Sequence, residues 1–243
     1  SPDLRGIDVA LLYQRDLFKL LSSRSISIPP LKQYRPTRDL LHVSGLLLTG
    51  DTLDVFVCHL PSRSGGAKES ESYRLYAAHI LRMEVDSIMS IRSLPQVIIM
   101  GDFNDYPTNQ SIQKILEAEA PPVTTNNLAS TTGSTNFSTV APSSLKLYHL
   151  LARKAKSKDF GSYKYRGEWG LLDHLIVSGT LLNQSNHFFT SEEKANVCLL
   201  PFLLKDDEKY GDKEPFRTYK GMKYQGGVSD HLPIYADFEL ILY

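Results

Sequence analysis

The apolar runs of this chain are short. "HVSGLLLT" (residues 42–49), "LDVFVCHL" (53–60), "VIIM" (97–100), "LLDHLIVS" (171–178) and "IYADFEL" (234–240) hold four to eight residues each, set between turn-rich stretches. Runs of that length suit strands, and none approaches the ~18–20 apolar residues that cross a bilayer as a helix. A doubly wound α/β fold would need a helix between most strands, and helical periodicity occurs too rarely for that. The sequence therefore predicts an α+β layered sandwich, many short strands with a few helices on the outside.

Residues 7–13 (IDVALLY) predict a first strand. The runs at 42–49 and 53–60 predict a hairpin about Gly50 and Asp51. Tyr73, Ala77, Leu81, Val85 and Ile88 recur at three- and four-residue spacing, which predicts a helix over residues 70–91. A second helix is expected over residues 111–119, ended by Pro121 and Pro122, and a third over residues 145–154. Residues 124–144 are rich in Ser, Thr and Asn and read as a long loop, as do the charged, aromatic residues 205–227. No internal repeat, heptad or paired composition shift divides the chain, so residues 1–243 read as one domain.

Composition excludes little. At 42% hydrophobic and 22% charged residues the chain matches an average globular protein. Lys+Arg and Asp+Glu both number 27, which removes a global basic excess as an argument for nucleic acid but leaves a local basic cleft open. Cys58 and Cys198 sit in apolar runs and read as buried free thiols. Cys58 precedes His59, yet neighbouring strand residues point to opposite faces, so a Cys–His dyad is not expected.

Four strand ends carry residues that chemistry uses. They are His59 in "CHLPSR", Asp102 and Asn104 in "GDFND", Asp173 and His174 in "LLDHLIVS", and Asp230 and His231 in "SDHLP". Each alone has a plain structural reading. A histidine at a strand end is usually structural, and Gly-Asp-x-Asn is a favoured turn. Asp173 is harder to set aside, because a carboxylate within an apolar strand is costly unless paired. Together they make a kit. Asp102, Asn104 and Asp230 are hard oxygen donors suited to Mg2+, Mn2+ or Ca2+. His59 and His231 can donate protons near neutral pH. Asp173 can orient one imidazole and fix its tautomer. Such a set suits hydrolysis of a phosphate ester. Ser62, Arg63, Arg74, Lys164 and Arg166 are candidates to contact phosphate. Tyr163, Tyr165 and Trp169 are candidates for an aromatic wall against a base, sugar or lipid.

In this order the motifs "RGIDVALLY", "HLPSRSGG", "GDFND", "YKYRGEWGLLDHLIVS" and "GGVSDHLPI" resemble the endonuclease/exonuclease/phosphatase superfamily. That group includes deoxyribonuclease I, exonuclease III-type enzymes, neutral sphingomyelinases and inositol polyphosphate phosphatases. The wording is most similar to secreted or periplasmic bacterial members. The resemblance implies a four-layered α/β/β/α sandwich with the site at one edge. It implies that His59 is a general acid or phosphate contact, that Asp102 and Asn104 position water and phosphate beside a metal, and that Asp173 holds His231. It implies Asp230 as a metal ligand and His231 as a phosphate contact. The implied substrate is a phosphate ester: a nucleic acid, a sugar or nucleotide phosphate, or a lipid head group. The family also uses an Asn and a metal-binding Glu in two strands that should precede residue 1. Nothing in residues 1–243 matches them, and Glu69, Glu71 and Glu84 fall on the wrong side of the motif order. The expectation is an N-terminally incomplete domain lacking those strands, with a non-catalytic binding module on the same scaffold as the alternative.

Overall fold

The computed structural model describes residues 2–32, 34–123 and 142–242. Phe18–Ile26 (β1) pairs antiparallel with Leu40–Leu47 (β2), with a bulge between Leu20 and Ser22. The chain then turns through Gly50 and Asp51 into Thr52–His59 (β3), the predicted hairpin. Gly50 takes a φ of 84° there, a left-handed value that glycine adopts without steric cost. Glu71–Ile91 (α1) follows, and Gln96–Asp102 (β4) comes back parallel to β3. A helix between two parallel strands is the crossover such pairing needs. Leu147–His149 (β5) comes next. Tyr163–Tyr165 (β6) and Glu168–Gly170 (β7) form a small hairpin. Asp173–Ser178 (β8) then runs antiparallel between β4 and β5. The resulting six-stranded mixed sheet has the order β1-β2-β3-β4-β8-β5.

Both faces of the central strands are covered, and alternation decides which residue goes where. Phe56, Ile99 and Ile176 point to the face under α1, where Ala77, Leu81 and Val85 are fully buried. Val55, Ile98, Leu175 and Val177 point to the other face, against Ala195 and Val197. Those two belong to Ala195–Val197 (β10), which follows Phe188–Phe189 (β9). The remaining short strands are Leu204–Asp206 (β11), Lys213–Pro215 (β12), Tyr219–Lys220 (β13), Lys223–Tyr224 (β14), Ile234–Ala236 (β15) and Glu239–Leu240 (β16). They pair as β10–β15, β11–β12, β13–β14 and β9–β16. Burying a leucine such as Leu81 contributes roughly 2 kcal/mol, so the helical face predicted from periodicity is what clamps α1 to the sheet. The fold is the α+β layered class expected from the short apolar runs.

Several elements differ from the sequence reading. Residues 7–13 form no strand: Leu12 and Tyr13 are exposed, and no ladder partner occurs among the described residues. The first strand is β1, whose middle residues are exposed. Its place rests on backbone pairing, which leaves no apolar pattern to read. The second expected helix is a single π-helical turn, Ser111–Ile115, ended where Glu117 adopts φ 52°. The third is β5 followed by turns. Its three residues are all buried, and a run buried on every side carries no period to distinguish helix from strand. The expected loop over residues 205–227 contains the β11–β12 and β13–β14 pairs. Of the polar stretch 124–144, residues 124–141 lie outside the described residues.

Candidate active site

Three strands bring the polar ends together by register alone. His59 at the end of β3 is the Cα partner of Asp102 at the end of parallel β4. Asp102 is in turn the partner of Asp173 at the start of antiparallel β8. His59, Asp102 and Asp173 therefore form a lateral row, one residue per strand. Facing positions lie about 5 Å apart at Cβ, close enough for the side chains to interact. Gly101 just before this row has φ 131°, and a Cβ there would meet the Cys58 carbonyl oxygen at 1.9 Å. Only glycine lets β4 turn its last residue into the row.

Past the row the chain bends sharply. Asn104 adopts φ 52°, a left-handed conformation that asparagine tolerates better than most residues. Its backbone N–H donates to Asp102 Oδ1 at 2.7 Å, and its side-chain Nδ2 donates to the Leu60 carbonyl at 3.1 Å. A carbonyl only accepts, so the amide orientation is fixed, and Asn104 Oδ1 is left as the atom available to a ligand.

His231 completes the group from far along the chain. Tyr163 of β6 forms a bridge with His231, and Leu232 N–H donates to the Ser162 carbonyl at 2.7 Å. His231 Nδ1 lies 2.6 Å from Asp173 Oδ2, which also accepts from Ser162 Oγ at 2.5 Å. Burial opposes a charge on His231, but the Asp173 hydrogen bond and charge, with Asp102 and Asp230, outweigh it and raise the imidazole to about 9. Burial likewise opposes the Asp173 carboxylate, and the bond from His231 prevails and lowers its pKa. Burial, then repulsion from Asp173, pushes Asp102 up to about 6. Burial and the Arg38 and Arg5 charges press His59 down to about 4. The site at neutral pH thus holds one imidazolium, one neutral imidazole and a carboxylate of raised basicity.

These groups line a cleft of about 830 Å³. Ser62, Arg63, Tyr163, Tyr165, Asp230 and His231 line it, as do Arg5 and Tyr106, which sequence reasoning did not place in the site. Arg63 stacks over Tyr106 at 4.6 Å. Arg166 and Trp169 stand outside this cleft, for a reason of strand parity. Trp169 pairs across the β6–β7 hairpin with Lys164, so it shares the face of Lys164 and lies opposite Tyr163 and Tyr165. Arg166 is the first of the two left-handed turn residues of that hairpin, before Gly167, and stacks on Tyr165. Lys164 and Arg74 are internal as well: Lys164 binds the Gly211 and Lys213 carbonyls and Asp207, and Arg74 pairs with Asp105 at 2.7 Å. The Cys58 thiol is buried and its pKa is pushed up by that burial, which leaves it inert beside His59.

The donor set suits a hard cation on one side of the cleft. Asp102, Asp173 and His231 each offer a ligating atom within 4.8 Å of the others, but the Nδ1 of His231 and an oxygen of Asp173 are already engaged with each other. Asp102, Asn104 and the exposed Asp230 also bring oxygens to the lining of the cleft. Burial first, then repulsion from Asp173, raises the Asp102 pKa, and a cation beside the two carboxylates would relieve that repulsion. No glutamate lines the cleft among the described residues. Glu84 pairs with Arg24, and the Glu69 side chain lies against Gly66.

Comparison with solved structures gives a consistent fold. The chain is similar to a mannosyl-6-phosphatase of Bacteroides thetaiotaomicron (15% identity, 93% of this chain and 68% of that one, TM-score 0.52). It is similar to a humanized D. rerio TDP2 (16% identity, 93% and 69%, TM-score 0.51). It is also similar to an endonuclease/exonuclease/phosphatase family protein of Bacteroides thetaiotaomicron (15% identity, 91% and 64%, TM-score 0.50). The chain spans between 62% and 70% of the length of such structures. No curated protein sequence matches it. The family described as "Endonuclease/Exonuclease/phosphatase family" matches residues 1–240, and this chain belongs to that family.

Proposed function

We propose that this chain hydrolyses phosphate esters in the cleft that joins His59, Asp102, Asn104, Asp173 and His231. The observation that carries the reading is the His231–Asp173 bond of 2.6 Å set beside Asp102. It keeps a proton donor and a basic carboxylate side by side at neutral pH. Asp102 is ionised there and basic enough to take a proton from an attacking water, with Asn104 orienting that water. His231 uses its second ring nitrogen to hydrogen-bond a phosphate oxygen and to stabilise the charge that develops on it. His59, neutral, adds a hydrogen bond from the opposite side of Asp102, 3.5 Å away. Ser62 and Arg63 bind the remaining phosphate oxygens, and the tyrosines wall the group attached to them. Held by Asp102, Asn104 and Asp230, a Mg2+, Mn2+ or Ca2+ ion would supply charge neutralisation at the phosphoryl oxygens.

The similar structures named for a sugar phosphatase and for TDP2 with a single-strand DNA product support the reaction class. They leave nucleic acid, sugar or nucleotide phosphate and lipid head group open for this chain. The test is hydrolysis of bis-p-nitrophenyl phosphate with Mg2+ or Mn2+ added. Turnover that stops on chelation is expected. Turnover indifferent to chelation would remove the cation from the proposal. Phosphate-ester binding without turnover would make the chain a binding module on this scaffold.

A further inference from the structure

Asp173 has a role above, but its neighbour His174 does not. His174 points to the other face of β8 and is fully buried, as is His149 at the end of β5. Such positions on a central sheet usually hold aliphatic side chains, and two imidazoles bury four ring nitrogens that each need a partner. The hydrogen bonds account for all four and fix both tautomers. Leu151 N–H can only donate, so His149 Nδ1 accepts, at 3.1 Å. The Asp105 carbonyl can only accept, so His174 Nε2 carries a proton and donates it, at 2.8 Å. Between them His149 Nε2 meets His174 Nδ1, and with both rings neutral the first donates to the second. The result is a one-way chain: Leu151 N–H to His149, His149 to His174, His174 to the Asp105 backbone.

Its end point lies in the catalytic loop. Asp105 follows Asn104, which takes a left-handed backbone and lines the cleft. The same loop is gripped from below by Phe103, edge-on to the His174 ring at 5.0 Å. It is gripped from the side by Arg74 and Ser111, each 2.7 Å from the Asp105 carboxylate. The carbonyl of Asp105 is held by His174, and His174 is kept in its donor tautomer by His149.

We infer that His149 and His174 are positioning residues for the phosphate-ester site: a buried imidazole relay from Leu151 to the Asp105 carbonyl that locks the loop carrying Asp102 and Asn104. Neither ring touches substrate. The inference rests on the proposed hydrolysis for its activity readout only, because the relay itself has a direct spectroscopic signature.

The experiment compares four variants of the whole chain. A glutamine places an amide nitrogen near the Nε2 of the histidine it replaces, so H149Q and H174Q retain the donor, whereas H149L and H174L remove it. The leucine variants should lose about 10-fold or more in kcat with KM changed little, as expected when catalytic groups are displaced rather than removed. The glutamine variants should recover most of that loss. Leucine variants that fold and keep kcat within about 2-fold, or glutamine variants no better than leucine, would overturn the inference. If a leucine variant fails to fold, nitrogen-15 NMR of the wild-type imidazoles decides instead. Both rings neutral with the proton on Nε2 is expected, and a His174 proton on Nδ1 overturns the relay. If the wild type hydrolyses no phosphate ester, the functional proposal fails on its own. The tautomers and slow exchange of the amides at residues 103–105, faster in H149L and H174L, then still test the relay.

Discussion

Two histidine–aspartate pairs stand side by side in the cleft, built from the same residue types, and they behave in opposite ways. His231 and Asp173 are 2.6 Å apart, with Ser162 adding a second donor to the same oxygen. His59 and Asp102 are 3.5 Å apart, and the oxygens of Asp102 are already given to Asn104. The first imidazole is raised to about 9 and the second lowered to about 4. Burial penalises both cations. The difference lies in what else each ring meets: carboxylates around His231, and the Arg38 and Arg5 guanidinium groups around His59. Identity of the pair therefore does not set its role. The neighbours do, and they divide the cleft into a cationic side and a neutral side.

The largest effects should follow from breaking the cationic side. Asp173→Asn or His231→Ala should lower kcat by about 10²–10³-fold under the proposed reaction, because each removes the charged donor at the transition state. Steady-state kinetics on the generic diester would check this, and rates near wild type in both would sink the assignment. A third pair gives a contrast outside the cleft. His42 and Asp54 are 2.9 Å apart and buried, with Arg92 at 2.8 Å from the same carboxylate. Burial raises the Asp54 pKa, but His42 and Arg92 outweigh it and lower it to about 2. The native state thus favours the ionised form. Its contribution is present above the unfolded carboxyl pKa near 4 and is lost as pH falls toward 2. That amounts to about 2 kcal/mol. Urea unfolding between pH 2 and 6 should show this acid-side loss, and Asp54→Asn should flatten it while leaving kcat unchanged.

The cleft was legible where a polar residue closed an apolar run. His59, Asp102 and Asp173 each interrupt a buried strand or end one, and such interruptions are costly enough to be conspicuous in a sequence, whereas His231 follows exposed turn residues just before a short strand. What was not legible depends on pairing between distant segments. Trp169 and Arg166 looked equivalent to Tyr163 until the β6–β7 register put Trp169 opposite Lys164. His149 meets His174 across β5 and β8, 25 residues apart. β1 has an exposed, polar middle and is a strand because β2 supplies its hydrogen bonds. Residues 7–13 have the composition of a strand and no strand partner among the described residues.

Smaller effects belong to the neutral side. His59→Gln keeps a hydrogen-bonding group next to Asp102 without a titrating one. It should cost about 10-fold in kcat, well short of His231→Ala, and a reversed order would exchange the two roles. The smallest and most discriminating change is Arg5→Gln. Arg5 is largely exposed and bound to Asp3, so it acts on His59 through a solvent-screened charge. Removing it should raise the His59 pKa by a fraction of a pH unit and leave His231 in place, since the groups that raise His231 are carboxylates alone. NMR titration of the two imidazoles reads both at once. A wild-type His59 that titrates near 6.5, or an Arg5→Gln change that moves both rings equally, would mean that one common field and not two separate neighbourhoods governs the cleft.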